Sequence, residues 1–209
     1  MIREEYNLKK AITVLLVLLL VAGLTACESK EAKAIKEVEK TIEAINIDEL
    51  TLESESVVVA AENAFVQLPE ESQKKIGNYS HLEEARKKVD SLTEIHKLLG
   101  GFNDLISGLE FTSKYAGNVN GRGEMAFAQS MIDKIKLSIA NIDFDKVGYL
   151  VPDSTKYLKQ IQSGNETIAS ALVQMGRTNS SALADQIRKT AKTHVTLCNT
   201  VLALFKGYK

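Results

Sequence analysis

Tryptophan is absent from this 209-residue sequence, and proline, cysteine and histidine are scarce, with two, two and three residues. Proline breaks helices and central strands, so its scarcity removes the strongest obstacle to long helices. Two cysteines cannot supply the disulfide framework of a small secreted domain. Neither sign of charge dominates, since 26 basic residues face 27 acidic ones. Without a basic excess, we expect no nucleic acid partner.

One long apolar run lies near the amino terminus, from Ala11 to Ala26, and reads AITVLLVLLLVAGLTA. Lys9 and Lys10 precede it, and small residues close it. A positive segment, an apolar core of this size and small residues before a cut site are typical of a signal peptide. A membrane-spanning helix needs about 20 apolar residues, and this run is shorter. We therefore predict a cleaved signal peptide over residues 1–26.

The run ends in Leu24-Thr25-Ala26-Cys27. This motif resembles the lipobox of bacterial lipoproteins, in which leucine and two small residues precede a cysteine. The resemblance implies that the Cys27 thiol receives a diacylglyceryl group and becomes the first residue of the mature chain. The expected localisation is extracytoplasmic, on the outer face of the cell membrane, with the lipid bilayer as partner through diacylglyceryl on Cys27. The alternative is an uncleaved signal anchor with an incidental cysteine.

Apolar residues recur three and four positions apart along most of the remaining sequence, which is typical of helices. We predict an all-α protein with a short helical tether, a three-helix module and then an antiparallel four-helix bundle. The tether occupies residues 27–50, and we expect it to pack partly on the module and to space the module from the membrane. Its narrow apolar stripe consists of Ile35, Val38, Ile42 and Ile45.

The module, residues 51–99, contains three predicted helices. Ser54 is placed to cap the first helix, and Pro69 opens the second, where a missing N–H costs nothing. The third helix is expected to begin near Tyr79. The expected inner residues are Val57, Ala61, Ala64, Phe65 and Leu68 in the first helix, and Leu82, Ala85, Val89, Leu92 and Ile95 in the third.

Several short motifs follow one another in residues 51–92. They are a Thr-Leu-x-Ser start, an Ala-rich helix ending in an aromatic residue and Leu, a Leu-Pro-x-x-x-x-Lys middle, and Asn-Tyr-x-x-Leu-x-x-Ala at the opening of the last helix. This arrangement resembles a small helical spacer module of large surface proteins in Gram-positive bacteria. The resemblance implies a mechanical or presenting role and carries over no catalytic residue. The excess of lysine over arginine, 21 to five, also suggests a Gram-positive source.

Gly100 and Gly101 are predicted to break or sharply kink the chain before the helical bundle of residues 100–209. Short connections favour antiparallel neighbours, although the helices on both sides of Gly100 could also form one bundle. The four helices are expected at about 102–116, 123–140, 154–175 and 180–205, with loops at 117–123, 141–153 and 176–180. The expected inner residues of the last two helices are Tyr157, Ile161, Ile168, Leu172, Met175, Leu183, Ile187, Ala191, His194, Cys198, Val201 and Phe205.

His194 and Cys198 lie four residues apart on the apolar face of the last helix, as two ligands of a soft metal site would. The other histidines, His81 and His96, lie on a different predicted helix, so we predict no metal site and no cofactor. A reactive thiolate needs exposure and positive surroundings, which an apolar stripe does not offer, so we predict no catalytic residue. If the bundle holds a ligand cavity, its expected lining is His194, Cys198, Tyr157 and Met131.

These observations predict a membrane-anchored extracytoplasmic lipoprotein with a non-catalytic binding, presenting or spacer role. A protein partner at the cell envelope is compatible with this role. The alternative is a small-ligand or metal-binding lipoprotein that uses a cavity in the C-terminal bundle. We do not expect an enzyme, because the sequence offers no nucleophile, base and orienting group that can be assembled into one site.

Overall fold

The computed structural model describes residues 30–116, 130, 133, 141–178 and 181–208. All regular elements in these residues are helical, which confirms the all-α class. The signal peptide, Cys27, Met131 and most of the helix expected at 123–140 lie outside the described residues. In chain order the elements are α1 (Lys30–Glu43), a 3₁₀ turn (Leu52–Ser54), α2 (Glu55–Val66), α3 (Glu70–Gln73), α4 (Tyr79–Tyr115), α5 (Phe144–Leu150), α6 (Ser154–Thr178), α7 (Ser181–Leu204) and a second 3₁₀ turn (Phe205–Tyr208).

The chain divides into two compact units, Met1–Val89 and Asp90–Lys209, each with its own apolar core. In the first unit, the α1 stripe is buried in the same core as the helices of the module, so the prediction that this helix packs on the module is confirmed. Its role as a spacer from the membrane stays a prediction. The buried residues of this core are Val38, Ile42, Ile45, Leu50, Val58, Ala61, Leu68, Ile76, Leu82, Ala85 and Val89.

The inner face of α2 differs from the predicted one at its first turn. Val58 is fully buried, whereas Val57 is 43% exposed, so the prediction of Val57 as an inner residue is wrong. Adjacent residues of a helix lie about 100° apart around its axis, so Val57 and Val58 cannot both point directly into the core, and Val58 is the one that does. Ser54 also fails as a cap, because its hydroxyl pairs with that of Thr51 at 3.1 Å and its backbone is already helical.

The helix α4 continues through Gly100 and Gly101, so the predicted break there is wrong. Each glycine costs a helix about 1 kcal/mol relative to alanine. Leu98, Phe102 and Leu105 on either side are all at most 2% exposed, and the burial of each such side chain contributes about 1.5–3 kcal/mol. The burial around the glycine pair therefore outweighs its low helix propensity.

Replacing Gly100 with alanine should stabilise the protein. A Cβ at this position meets nothing within 4 Å, so the substitution adds no contact and removes the backbone freedom that glycine has in the unfolded chain. We expect the free energy of unfolding to rise by about 0.5–1 kcal/mol. Urea unfolding followed by far-ultraviolet circular dichroism measures this change. A loss of stability would mean that the glycine is needed for the path of α4.

In the second unit, α6 and α7 pack against each other in antiparallel order. Gln174 and Leu183 line one groove between them, and Lys159 and Leu197 line another. The predicted inner residues of both helices are buried, except that Tyr157 and Leu183 are partly buried and Leu158 takes the inner position beside Tyr157. The arrangement of a complete four-helix bundle stays a prediction, because most of its second helix lies outside the described residues.

A short helix, α5, occupies part of the segment expected to be a loop at 141–153, so that prediction is wrong in its middle. The Asp143 carboxylate accepts hydrogen bonds from the backbone N–H groups of Asp145 at 3.2 Å and Lys146 at 3.1 Å. These are the donors that a helix start leaves unpaired. Val147 on the next turn is fully buried, which holds α5 on the core of the second unit.

Candidate functional site

His194 lies on the inner face of α7 and is only 7% exposed. Its Nδ1 lies 2.7 Å from the carbonyl oxygen of Thr190, one turn earlier in α7. Its Nε2 lies 3.0 Å from the carbonyl oxygen of Gln160 in α6. Both ring nitrogens therefore contact protein carbonyls, and the ring links α6 to α7. In this arrangement neither nitrogen is directed at a metal ion or a substrate.

Gly164 makes this position of the imidazole ring possible. A Cβ at Gly164 would lie 1.8 Å from His194 Nε2 and 2.1 Å from the neighbouring ring carbon. Real Cβ atoms do not approach other atoms so closely, so the ring occupies the space that the missing side chain leaves. The pair Gly164 and His194 is thus a close contact of two helices that the sequence analysis did not single out.

Cys198 lies one turn after His194 and is completely buried. Burial disfavours the charged thiolate and raises the pKa of this thiol from 9.0 to about 12. Because the thiolate is the form that attacks electrophiles and binds metals, Cys198 is inert at neutral pH. Its position among the apolar residues of the second core identifies it as a packing residue.

The Cys198 thiol should not react with an aromatic disulfide reagent at pH 8 while the protein is folded. The test uses a Cys27→Ala chain, in which Cys198 is the sole cysteine. At pH 8 the thiolate population of Cys198 is about 1,000-fold below that of free cysteine. Urea should expose it and give one reacting thiol per chain. Fast labelling of the folded chain would contradict this prediction.

The pKa of the Cys198 thiol is higher in the folded chain than in the unfolded chain. The free energy of unfolding therefore does not depend on this thiol below about pH 9, and it falls as the pH rises toward 12.

Three of the four expected ligand-binding residues lie in the described part of the chain, and these three do not line one common cavity. Tyr157 is partly buried on the outside of the second core, and Lys156 Nζ lies 4.8 Å from the centre of its ring. Met131 lies outside the described residues. His194 lines an open groove of about 540 Å³ between α6 and α7, whose other lining residues are Lys159, Gln160, Ser163, Gly164, Thr167, Thr190, Thr193 and Leu197. Cys198 lies in the core and does not line this groove.

A second groove, of about 580 Å³, lies on the first unit between α2 and α4. The rings of Phe65 and Tyr79 stack there with their centroids 4.4 Å apart. Arg86 and Glu62 form an ion pair at its edge. Next to the rings, Val66 is 70% exposed, more than any other large apolar side chain in the described residues. The exposure of Val66 was not predicted from the sequence, because a single valine at a helix end gives no periodic signal.

Two features are absent from the described part of the chain. No group of three or more His, Cys, Asp or Glu side chains is placed to hold a metal ion. Within the same residues, no helix combines the length and apolar character that crossing a membrane requires. Neither finding extends to residues 1–29, where the apolar run and Cys27 lie.

Comparison with known proteins assigns no family or function to these residues. No protein family model matches the chain, and no curated protein or solved structure shows significant similarity to it. The lipobox resemblance at residues 24–27 and the spacer-module resemblance at 51–92 therefore rest on the sequence motifs themselves.

Proposed function

We propose that the chain is a lipoprotein on the outer face of the cell membrane, anchored by a diacylglyceryl group on Cys27, with a non-catalytic binding, presenting or spacer role. The observation that carries this proposal is the motif Leu24-Thr25-Ala26-Cys27 at the end of a short apolar run. The folded helix α1 begins at Lys30, directly after it. A cut before Cys27 would remove the apolar run and leave the helices and core of the first unit in place.

The chemistry of the described residues supports binding or presentation rather than catalysis. A general base needs a free nitrogen or oxygen within reach of a substrate, and a nucleophile needs activation by a neighbouring base. Both ring nitrogens of His194 already contact carbonyl oxygens. The Cys198 thiol stays protonated because burial raises its pKa to about 12. His194 and Cys198 thus serve the packing of the second unit.

Mass spectrometry of the chain purified from membranes tests the anchor. The amino-terminal peptide should begin at Cys27 and carry the added mass of a diacylglyceryl group on its sulfur. The 26 residues before it should be missing from the mature protein. A mature chain that begins elsewhere, or an unmodified Cys27, would refute the proposal.

The alternative function is the binding of a small ligand by the second unit. The groove beside His194 favours it, since hydroxyl groups of Ser163, Thr167 and Thr193 line this groove and could bind a polar molecule. Native mass spectrometry of the purified chain distinguishes the two functions. Under the main proposal the chain carries no non-covalently bound small molecule in this groove, whereas a stoichiometric adduct that a Ser163→Ala variant loses would establish ligand binding.

A further inference from the structure

One end of the first unit is formed where the start of α1, the end of α2 and the whole of α3 meet. The Glu31 carboxylate accepts a hydrogen bond from Ser72 Oγ at 3.0 Å, which ties α1 to α3. Gln73 Nε2 lies 3.4 Å from the carbonyl oxygen of Val66 and donates to that of Leu68 at 2.8 Å, which ties α3 to α2. Through α3, these contacts connect the end of α2, where Val66 lies, to the first residues of α1.

We call this surface the α3 end and define it as residues 30–31 and 66–75. The other end of the first unit lies near Ile47, whose carbonyl oxygen accepts a hydrogen bond from Lys88 Nζ at 2.6 Å. Because α1 has 14 residues with a rise of about 1.5 Å each, about 20 Å separate the two ends. Glu49 is an exposed residue at the Ile47 end.

The attachment point of the proposed lipid lies very close to the α3 end along the chain. Three peptide units join Cys27 to Lys30, and they span at most about 11 Å when fully extended. From Val38 onward, the apolar side chains of α1 are buried in the core of the first unit, so this part of α1 cannot act as a flexible tether. A lipid on Cys27 would therefore hold the first unit within about 11 Å of the membrane surface.

We infer that the α3 end of the first unit lies against the phospholipid headgroups, oriented by the short covalent link to Cys27. This inference rests on the proposed lipidation and adds which surface faces the bilayer. Val66, which is 70% exposed, is then placed to contact the apolar side of the headgroup layer. The exposed valine gains apolar contact at the membrane.

Charge attraction is not what orients this surface. Lys74 pairs with Glu71 at 2.7 Å, and Lys75 pairs with Glu31 at 2.7 Å. Lys74 and Lys75 thus each have a carboxylate beside them. The α3 end has three lysines in all and three glutamates, Glu31, Glu70 and Glu71, so the surface offers anionic lipids little net positive charge. The orientation should accordingly depend on the length of the tether and be insensitive to salt.

The experiment compares two labelled variants of the lipoprotein, Lys74→Cys at the α3 end and Glu49→Cys at the Ile47 end. Each is reconstituted into phosphatidylcholine vesicles with a fluorophore on the new thiol, because Cys27 carries lipid and Cys198 is buried. Energy transfer to acceptor-labelled headgroups measures the distance to the bilayer. The label at 74 should lie closer by up to about 20 Å, and equal distances would overturn the inference.

Two controls test the cause of this orientation. At 1 M salt, where screening acts over about 3 Å, the difference between the two labels should persist, and its loss would show that charge holds the surface in place. A 20-residue Gly/Ser insertion after Cys27 adds a flexible link of about 25 Å, so the difference should disappear. If it persists with the long link, the tether does not orient the unit and the inference is wrong.

The outcomes separate this inference from the function on which it rests. A chain that lacks acyl label on Cys27 refutes both. A chain that carries the label but shows equal distances at positions 74 and 49 leaves the anchor in place and refutes only the orientation.

Discussion

Replacing Gly164 with alanine should destabilise the second unit by a net of about 1–3 kcal/mol. The new Cβ would lie 1.8 Å from His194 Nε2, so the ring must move and lose its contact with the Gln160 carbonyl. Overpacking a core costs about 1–3 kcal/mol and each lost hydrogen bond about 1 kcal/mol. The gain in helix propensity, about 1 kcal/mol, offsets only part of this. Urea unfolding of the full chain measures the net change.

The matched control is Gly100→Ala, the same substitution inside another helix. Gly100 has open space around its Cα, whereas Gly164 has the imidazole ring against it. The two variants should therefore change the stability in opposite directions. Similar effects from both would indicate that helix propensity, rather than the contact with His194, decides the outcome.

A double variant isolates the contact itself. If the clash with the ring is the cause, adding His194→Ala to Gly164→Ala should recover part of the lost stability, because alanine leaves room for the new Cβ. Starting from the natural chain, His194→Ala should be destabilising, since it removes both carbonyl contacts and leaves a cavity. Simple addition of the two single effects would show that the residues do not interact.

Replacing Cys27 with alanine should abolish acylation of the chain and prevent removal of residues 1–26. Two acyl chains bury many CH₂ groups at about 0.8 kcal/mol each, which is enough for stable anchoring. The variant should keep its apolar run, so its mass should exceed that of the unmodified mature polypeptide by the mass of the signal peptide. Metabolic labelling with a fatty acid, together with the mass of the product, measures both effects.

Membrane fractionation alone cannot decide this result, because the retained apolar run can also hold the variant at the membrane. The acyl label is the decisive readout, and Cys198→Ala is the matched control. This second variant removes the only other cysteine and should be labelled and processed normally. Retention of label in the Cys27→Ala chain would disprove lipidation at this residue.

Much of the helical core was predictable because its residues follow one rule. Apolar side chains at intervals of three and four share a helical face, so the spacing alone identified Leu82, Ala85 and Val89 in α4 and Ile187 and Val201 in α7. The rule fails where adjacent residues are equally apolar. Among the three valines at 57–59, the spacing predicted Val57 as the inner residue, whereas the core of the first unit buries Val58.

Predictions from the sequence were also wrong at positions where local secondary-structure preference competes with burial. The glycine pair at 100–101 has low helix propensity, but buried neighbours in α4 keep it helical. The segment of α5 has too few residues for a periodic signal, and the Asp143 cap together with the burial of Val147 stabilises it. In both cases burial against residues distant in sequence stabilises the helix. Local sequence patterns do not show which distant residues will be in contact.

The sequence by itself determined the all-α class, the near balance of charge and the motif at Cys27, because composition, periodicity and short motifs are local properties. Only the tertiary structure decided that His194 is a packing residue against Gly164, since 30 residues separate the two along the chain. It also decided that α3 connects the end of α2 to the start of α1. Such contacts depend on how helices meet in space, and many different sequence separations produce the same packing.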